Sequence, residues 1–208
     1  MERNLLHIIQ GQLLRFTGRY KFLTYNDVDL LVESLAEKIY SSGYVPDAIV
    51  GISSGGEYPA ILISQDFQTS LALMDVNHYG IKFNGCEIEE LVGLYRLAKL
   101  LGHSPRVTVE HDIREEEVAG KRVLLVDDDS YSGLTLEVAL QSVKEKRPRE
   151  IRTAVLQTYT GNPLVDFAGR QMDRKQLYGR REIYPWSLLS SHYSNDHKKT
   201  EPIHSFTS

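Results

Sequence analysis

The feature that most constrains this chain is Val123-Leu-Leu-Val-Asp-Asp-Asp-Ser-Tyr-Ser-Gly-Leu-Thr135. Four consecutive apolar residues leave no polar face, so they read as a strand buried on both sides, as in a parallel sheet covered by helices. The strand ends in acidic residues. A short Ser/Gly loop follows, and the spacing of Leu136, Ala139, Leu140 and Val143 predicts a helix over 133–145. Loop amides and the N-terminus of that helix make a phosphate site. Ser132 and Thr135 can add hydroxyl donors, Gly133 lets the backbone approach, and Ser130, Tyr131 and Leu134 complete the loop. Asp127 and Asp128 beside it can accept hydrogen bonds from sugar hydroxyls or hold a Mg²⁺ that neutralises phosphate charge. A phosphate grip next to a diol grip describes a binder of ribose 5-phosphate.

The rest of the chain supports an α/β fold. Thr24 caps a helix whose face is Val28, Leu31, Leu35 and Ile39, and Gly43 ends it. Residues 47–52, 70–76, 106–110, 122–127 and 151–158 read as strands. Helices are expected over 4–16, 57–65 and 87–101. Residues 113–120 read as an acidic loop, residues 161–186 as irregular, and 191–208 as a polar, weakly ordered tail. Strands alternating with helices argue for a mainly parallel sheet flanked by helices, with ligands at the carboxyl ends of the strands. The organisation read from this is one domain over 1–190, with a small C-terminal hood at about 161–190.

Composition narrows the function classes. The 208 residues carry 24 Lys and Arg against 28 Asp and Glu, a net charge of −4. A general nucleic-acid-binding surface is normally basic, so no nucleic-acid partner is expected. The single Cys86 excludes an internal disulfide and a cysteine-cluster zinc site, and is compatible with a reducing cytoplasm. No apolar run reaches the roughly 18 residues of a membrane span, and residues 1–4 do not open a secretory signal, so no membrane partner is expected. Gly51-Ile-Ser53-Ser-Gly55 matches the nucleophile elbow of serine hydrolases. It lacks the preceding strands and the oxyanion loop of such enzymes, and reads better as an amide-rich anion loop. The Leu-Leu-Val-Asp-Asp-Asp run also resembles the first strand of a receiver domain, but the motif that holds it starts at residue 123, far from the start of the sequence, and no later Asp-ended strand follows.

Residues 123–135 resemble the phosphoribosyl-pyrophosphate (PRPP) motif of type I phosphoribosyltransferases. Asp47-Ala-Ile-Val-Gly-Ile-Ser-Ser-Gly-Gly-Glu-Tyr-Pro-Ala60 is similar to the pyrophosphate-binding strand, loop and helix of the purine branch, the xanthine-guanine and hypoxanthine enzymes. Glu117-Val-Ala-Gly-Lys-Arg122 resembles the lead-in to the PRPP strand, and Ile183-Tyr-Pro-Trp186 the closing hood segment. The resemblance implies transfer of ribose 5-phosphate from PRPP to a nitrogenous, purine-like base with Mg²⁺ as cofactor. The alternative on the same fold is a non-catalytic PRPP- or nucleotide-binding regulator. The implied roles are sugar and metal contacts at Asp127 and Asp128, 5-phosphate contacts at residues 130–135, and pyrophosphate contacts at Ser53, Ser54, Gly55 and Gly56. Tyr159, Tyr184 and Trp186 are candidates for a base pocket. The partners expected are PRPP and a base or nucleoside monophosphate, in the cytoplasm, with a homodimer left open. The chain differs from the purine branch at Tyr131, where an Asp is usual, at Asp129, where the residue is usually apolar, and at Ser54, where Arg is frequent. Arg181 stands where an aromatic residue is expected to stack on the base, and no Lys occurs between Lys146 and Lys175 to read an exocyclic oxygen.

Overall fold

The computed structural model describes residues 20–53, 55–79, 81–83, 86–88, 106–130, 133–173 and 181–186. Two compact units are formed, one of residues 31–172 and one of residues up to 30 together with those from 173 onward. The expected helix at 4–16 and the tail at 191–208 lie outside the described residues.

In the smaller unit, β1 (Tyr20–Phe22) pairs in parallel with β10 (Arg181–Ile183). Helix α1 (Tyr25–Ser41) begins there. Thr24 caps it: the Asp27 N–H donates to Thr24 Oγ1 at 3.2 Å, and the Thr24 N–H donates back to Asp27 Oδ2 at 2.8 Å. This is a capping box with Asp in the usual Glu position.

The larger unit contains a six-stranded sheet. Its elements in chain order are β2 (Ala48–Ser53), α2 (Glu57–Asp66), β3 (Ser70–Tyr79), β6 (Arg106–His111), α3 (Glu115–Val118), β7 (Arg122–Ser130), α4 (Leu134–Glu145), β8 (Glu150–Tyr159) and β9 (Phe167–Met172). A separate antiparallel pair is formed by β4 (Ile81–Phe83) and β5 (Cys86–Ile88). The sheet order is β6-β3-β2-β7-β8-β9, and every neighbouring pair is parallel except β3 with β6. One face carries Val50, Ile52, Met74, Leu125, Val155 and Ala168, packed with Leu136, Ala139 and Val143 of α4 and with Ile113 and Val118. The opposite face carries Ile49, Leu124 and Leu156, all fully buried. Ser34 Oγ and Lys38 Nζ of α1 donate to the Gly169 carbonyl of β9 at 3.0 and 2.6 Å. Burial on both faces explains why Val123–Val126 of β7 is an unbroken apolar run.

Four local expectations are corrected. Residues 115–118 form a helical turn rather than a loop, because the Arg114 N–H bonds Glu117 Oε2 at 2.7 Å and closes a cap. Residues 86–88 are a strand rather than the start of a helix; the rest of 87–101 lies outside the described residues. Residues 161–186 are not irregular throughout. They contain β9, which completes the main sheet, and β10, which belongs to the smaller unit. Strand β7 also continues through the three aspartates to Ser130, held by pairing with β8 as far as Thr158.

Candidate active site

Strands β2 and β7 are adjacent and parallel, with Gly51 opposite Val126. The loops that follow them therefore leave the same edge of the sheet, although the two segments are far apart in sequence. The contact between the loops is close. A Cβ on Gly55 would fall within the Asp128 carboxylate, and a Cβ on Gly56 would stand 2.8 Å from both Asp127 Cα and Ile52 O. Only glycine allows the first loop to lie this near the acidic end of β7. The Gly56 N–H donates to Ile52 O at 2.7 Å, and Gly56 leads directly into α2.

The three aspartates differ in their surroundings. Asp127 is buried, and its Oδ1 accepts the Asp128 N–H at 2.9 Å. Burial, reinforced by the charge of Asp128, pushes its carboxyl well above the ordinary carboxylate range. Asp128 is half-buried and its Oδ1 accepts the Asp129 N–H at 2.7 Å. Asp129 lies in register with Gln157 of β8 and Arg170 of β9, and Arg170 donates to Gln157.

The second loop ends at Gly133, whose φ of 80° is left-handed, a conformation that suits glycine before the first turn of α4. Leu134 and Thr135 lie in that first turn, half-buried. Ser130 is the last residue of β7, where the loop begins. It is buried, and its Oγ lies 3.1 Å from Asn162 Nδ2. Tyr131, Ser132 and Ser54 lie outside the described residues. Ser53 ends β2 opposite Asp75 of β3, whose carboxylate is 3.4 Å from His111 Nδ1 of β6. Of the three aromatic residues named for a base pocket, Tyr159 is half-buried at the end of β8. Tyr184 and Trp186 stack on one another in the smaller unit, 4.7 Å apart and 10° from parallel.

Two features here escaped the sequence. Asp75 sits opposite Ser53 because β3 runs parallel to β2, and His111 reaches Asp75 because β6 runs antiparallel to β3. Asn162 carried a turn signal, Thr160-Gly-Asn-Pro163, but nothing local ties it to Ser130.

Among the described residues, no group of three or more His, Cys, Asp and Glu side chains comes together as a metal cage. The donor set at the sheet edge is two neighbouring carboxylates. That fits Mg²⁺, which takes one or two protein carboxylates and completes its shell with water and substrate phosphates.

The sheet order, the acidic strand end and the two facing loops place the candidate site at the carboxyl ends of parallel strands, where α/β sheets bind their ligands. Residues 24–201 match the phosphoribosyl transferase domain family, and the chain belongs to it. It is 25% identical over 130 residues to xanthine phosphoribosyltransferase 1 of Saccharomyces cerevisiae, an overlap of 60% of each chain. The chain therefore aligns with less than two thirds of that enzyme. The purine phosphoribosyltransferase of Pyrococcus horikoshii is similar in structure, with a TM-score of 0.58 and 25% identity over 90% of this chain and 99% of that one. The xanthine-guanine-hypoxanthine phosphoribosyltransferase of Helicobacter pylori shares the fold at 14% identity, with a TM-score of 0.55 over 84% of this chain and 98% of that one. Among the described residues, no helix is long and apolar enough to cross a membrane.

Proposed function

We propose that this protein transfers ribose 5-phosphate from PRPP to a purine base and releases pyrophosphate. The observation that carries the reading is the contact between the two loops. Gly55 packs against the Asp128 carboxylate and Gly56 against the backbone at Asp127, so an amide turn, an acid pair and a helix N-terminus share one edge. Membership of the family and similarity to purine enzymes support the purine as acceptor.

The chain's own groups divide the work. The loop at residues 53–56, apart from the Gly56 N–H that Ile52 O accepts, offers backbone donors to the leaving pyrophosphate, at the position where charge grows as the C1′–O bond breaks. Asp128, and Asp127 behind it, accept the ribose hydroxyls and hold the sugar while positive character develops at C1′. Gly133, Leu134 and Thr135 at the start of α4 receive the 5-phosphate, which that helix end favours. The N–C1′ bond to the base forms as the C1′–O bond breaks, and the proton on the base nitrogen passes to water or to an oxygen of the departing pyrophosphate. Mg²⁺, held by Asp127 and Asp128, would neutralise charge on the pyrophosphate. Catalysis is mainly positioning and charge stabilisation. The single Cys86 is in keeping with a reducing, cytoplasmic setting.

The test is pyrophosphate release from PRPP and Mg²⁺ with xanthine, guanine, hypoxanthine and adenine in turn. Release should require both PRPP and one of the purines, and should fall in Asp128→Asn. If PRPP binds but no base is turned over, the protein is a PRPP-binding regulator and the transferase reading is wrong.

A further inference from the structure

The loop between β8 and β9, residues 160–166, carries no group assigned to the reaction. It is nevertheless attached to the phosphate turn at both ends. Asn162 is nine-tenths buried. Its Nδ2 faces Ser130 O at 3.1 Å, Ser130 Oγ at 3.1 Å and Thr158 Oγ1 at 2.9 Å. Thr158 Oγ1 donates to the same Ser130 carbonyl at 2.8 Å. On the other side of the amide, Asn162 Oδ1 accepts the Leu164 N–H at 3.1 Å. Leu164 in turn covers Gly133: a Cβ on that glycine would stand 2.7 Å from Leu164 Cδ1.

One short segment thus holds the residue where the turn leaves β7 and roofs the residue where it enters α4. The amide is suited to this in a way a carboxylate is not. It donates to Ser130 on one side and accepts from Leu164 on the other, whereas an ionised Asp only accepts.

We infer that Asn162, with Leu164, is a positioning residue that aims the phosphate turn after β7 at the 5-phosphate of the substrate. Backbone donors stabilise an anion strongly only when their orientation is fixed in advance. The hydroxyl oxygen of Ser130, which faces Asn162 Nδ2, is part of this support. The inference rests on the reading of that turn as the 5-phosphate site. It does not extend to the loop at residues 53–56, which Asn162 does not touch in any of these bonds.

The test compares two ligands on the full-length protein. Ribose 5-phosphate probes the turn, and pyrophosphate with Mg²⁺ probes the other loop, each titrated by ligand-observed NMR beside a thermal melt. Asn162→Ala should weaken ribose 5-phosphate about tenfold and leave pyrophosphate binding unchanged. Asn162→Asp should behave like Asn162→Ala. Leu164→Ala should weaken the same ligand, and Leu164→Met should restore it. A folded Asn162→Ala protein that binds ribose 5-phosphate like wild type, or loses both ligands equally, overturns the inference. If Asn162→Ala does not fold, the two Leu164 variants decide by the same criteria. Wild-type protein that binds neither ligand overturns the transferase reading, and this inference with it.

Discussion

Gly55 and Gly56 are neighbours in sequence, and the same Gly→Ala change should fail in opposite ways at the two positions. At Gly56 the added methyl meets backbone, with Asp127 Cα and Ile52 O both at 2.8 Å. Backbone atoms of two central strands cannot swing aside. Overpacking of this kind costs about 1–3 kcal/mol. The φ of −76° at Gly56 suits alanine, so lowering the entropy of the unfolded chain returns about 0.4–1 kcal/mol. Because Val126 O stands closer still and all three atoms are backbone, the upper end of that range applies, and the net loss is about 2–2.6 kcal/mol, or roughly 4–10 °C of melting temperature for a chain of this size. At Gly55 the methyl meets a side chain, the Asp128 carboxylate, which can rotate away at about 0.5–1.5 kcal/mol. That nearly cancels the same entropic gain, so Gly55→Ala should melt close to wild type. Its damage should appear in catalysis, because the displaced Asp128 loses charge-assisted bonds to the sugar worth about 1.5–3 kcal/mol. That corresponds to about 10- to 150-fold in kcat/KM for PRPP. Melting curves and steady-state pyrophosphate release on the two variants check both halves. Full kcat/KM in Gly55→Ala would refute the placement of Asp128 in the reaction. An unchanged melt in Gly56→Ala would refute the close packing of the loop on β7.

Asp127→Asn should raise the melting temperature at neutral pH. Its carboxyl, pushed up by burial and by Asp128, binds its proton more tightly folded than unfolded, so stability falls as pH rises above the ordinary value of 3.8. The same variant should lose at least about tenfold in PRPP-dependent turnover, and a cooler melt at pH 7 would contradict the burial argument. Asp112 shows the opposite sign. Burial opposes its charge, but bonds from Lys146 and Ser142 outweigh that and hold the carboxyl low. The stability it contributes is present above 3.8 and lost as pH falls through its folded value. The melting difference between wild type and Asp112→Asn should therefore be largest near neutrality and shrink in acid, and a difference that grows in acid would refute it. A phenol is a poor base at neutral pH, so Tyr131→Phe should keep most activity. A large loss with PRPP binding intact would show that the hydroxyl takes part in the chemistry.

The parts of the fold legible in the sequence are those whose local pattern matches their tertiary surroundings. Val123–Val126 is apolar throughout because helices cover both faces, and that burial is written directly into composition. Thr24 and Asp27 signal the start of α1 because the cap is made by residues three apart. Strand β9 carries no such signal. Phe-Ala-Gly-Arg-Gln-Met contains a glycine and two polar residues, and it is a strand because β8 pairs with it and α1 binds its carbonyls. The turn at 115–118 was hidden by three consecutive glutamates, which say nothing of the Arg114–Glu117 cap that folds them. Residues 86–88 mixed apolar and polar groups in a way that suits a helix face as well as a strand.

At the site, each motif could be read alone, but their meeting could not. That Gly55 touches Asp128 follows from the order β3-β2-β7, and local periodicity cannot report which strands become neighbours. Ser130 shows the same limit on the scale of one side chain. The resemblance puts it in the 5-phosphate loop, and no local pattern reports that an amide 32 positions later engages its oxygen. The position of Asp127 then has a physical sense. A carboxylate at the buried end of the most apolar strand is unfavourable in the free protein. It becomes favourable only when ligand hydroxyls and a cation reach it. The sequence keeps a destabilising residue at the point where the proposed substrate would supply what the protein lacks, so the feature hardest to justify by stability alone is the one the proposed reaction would use.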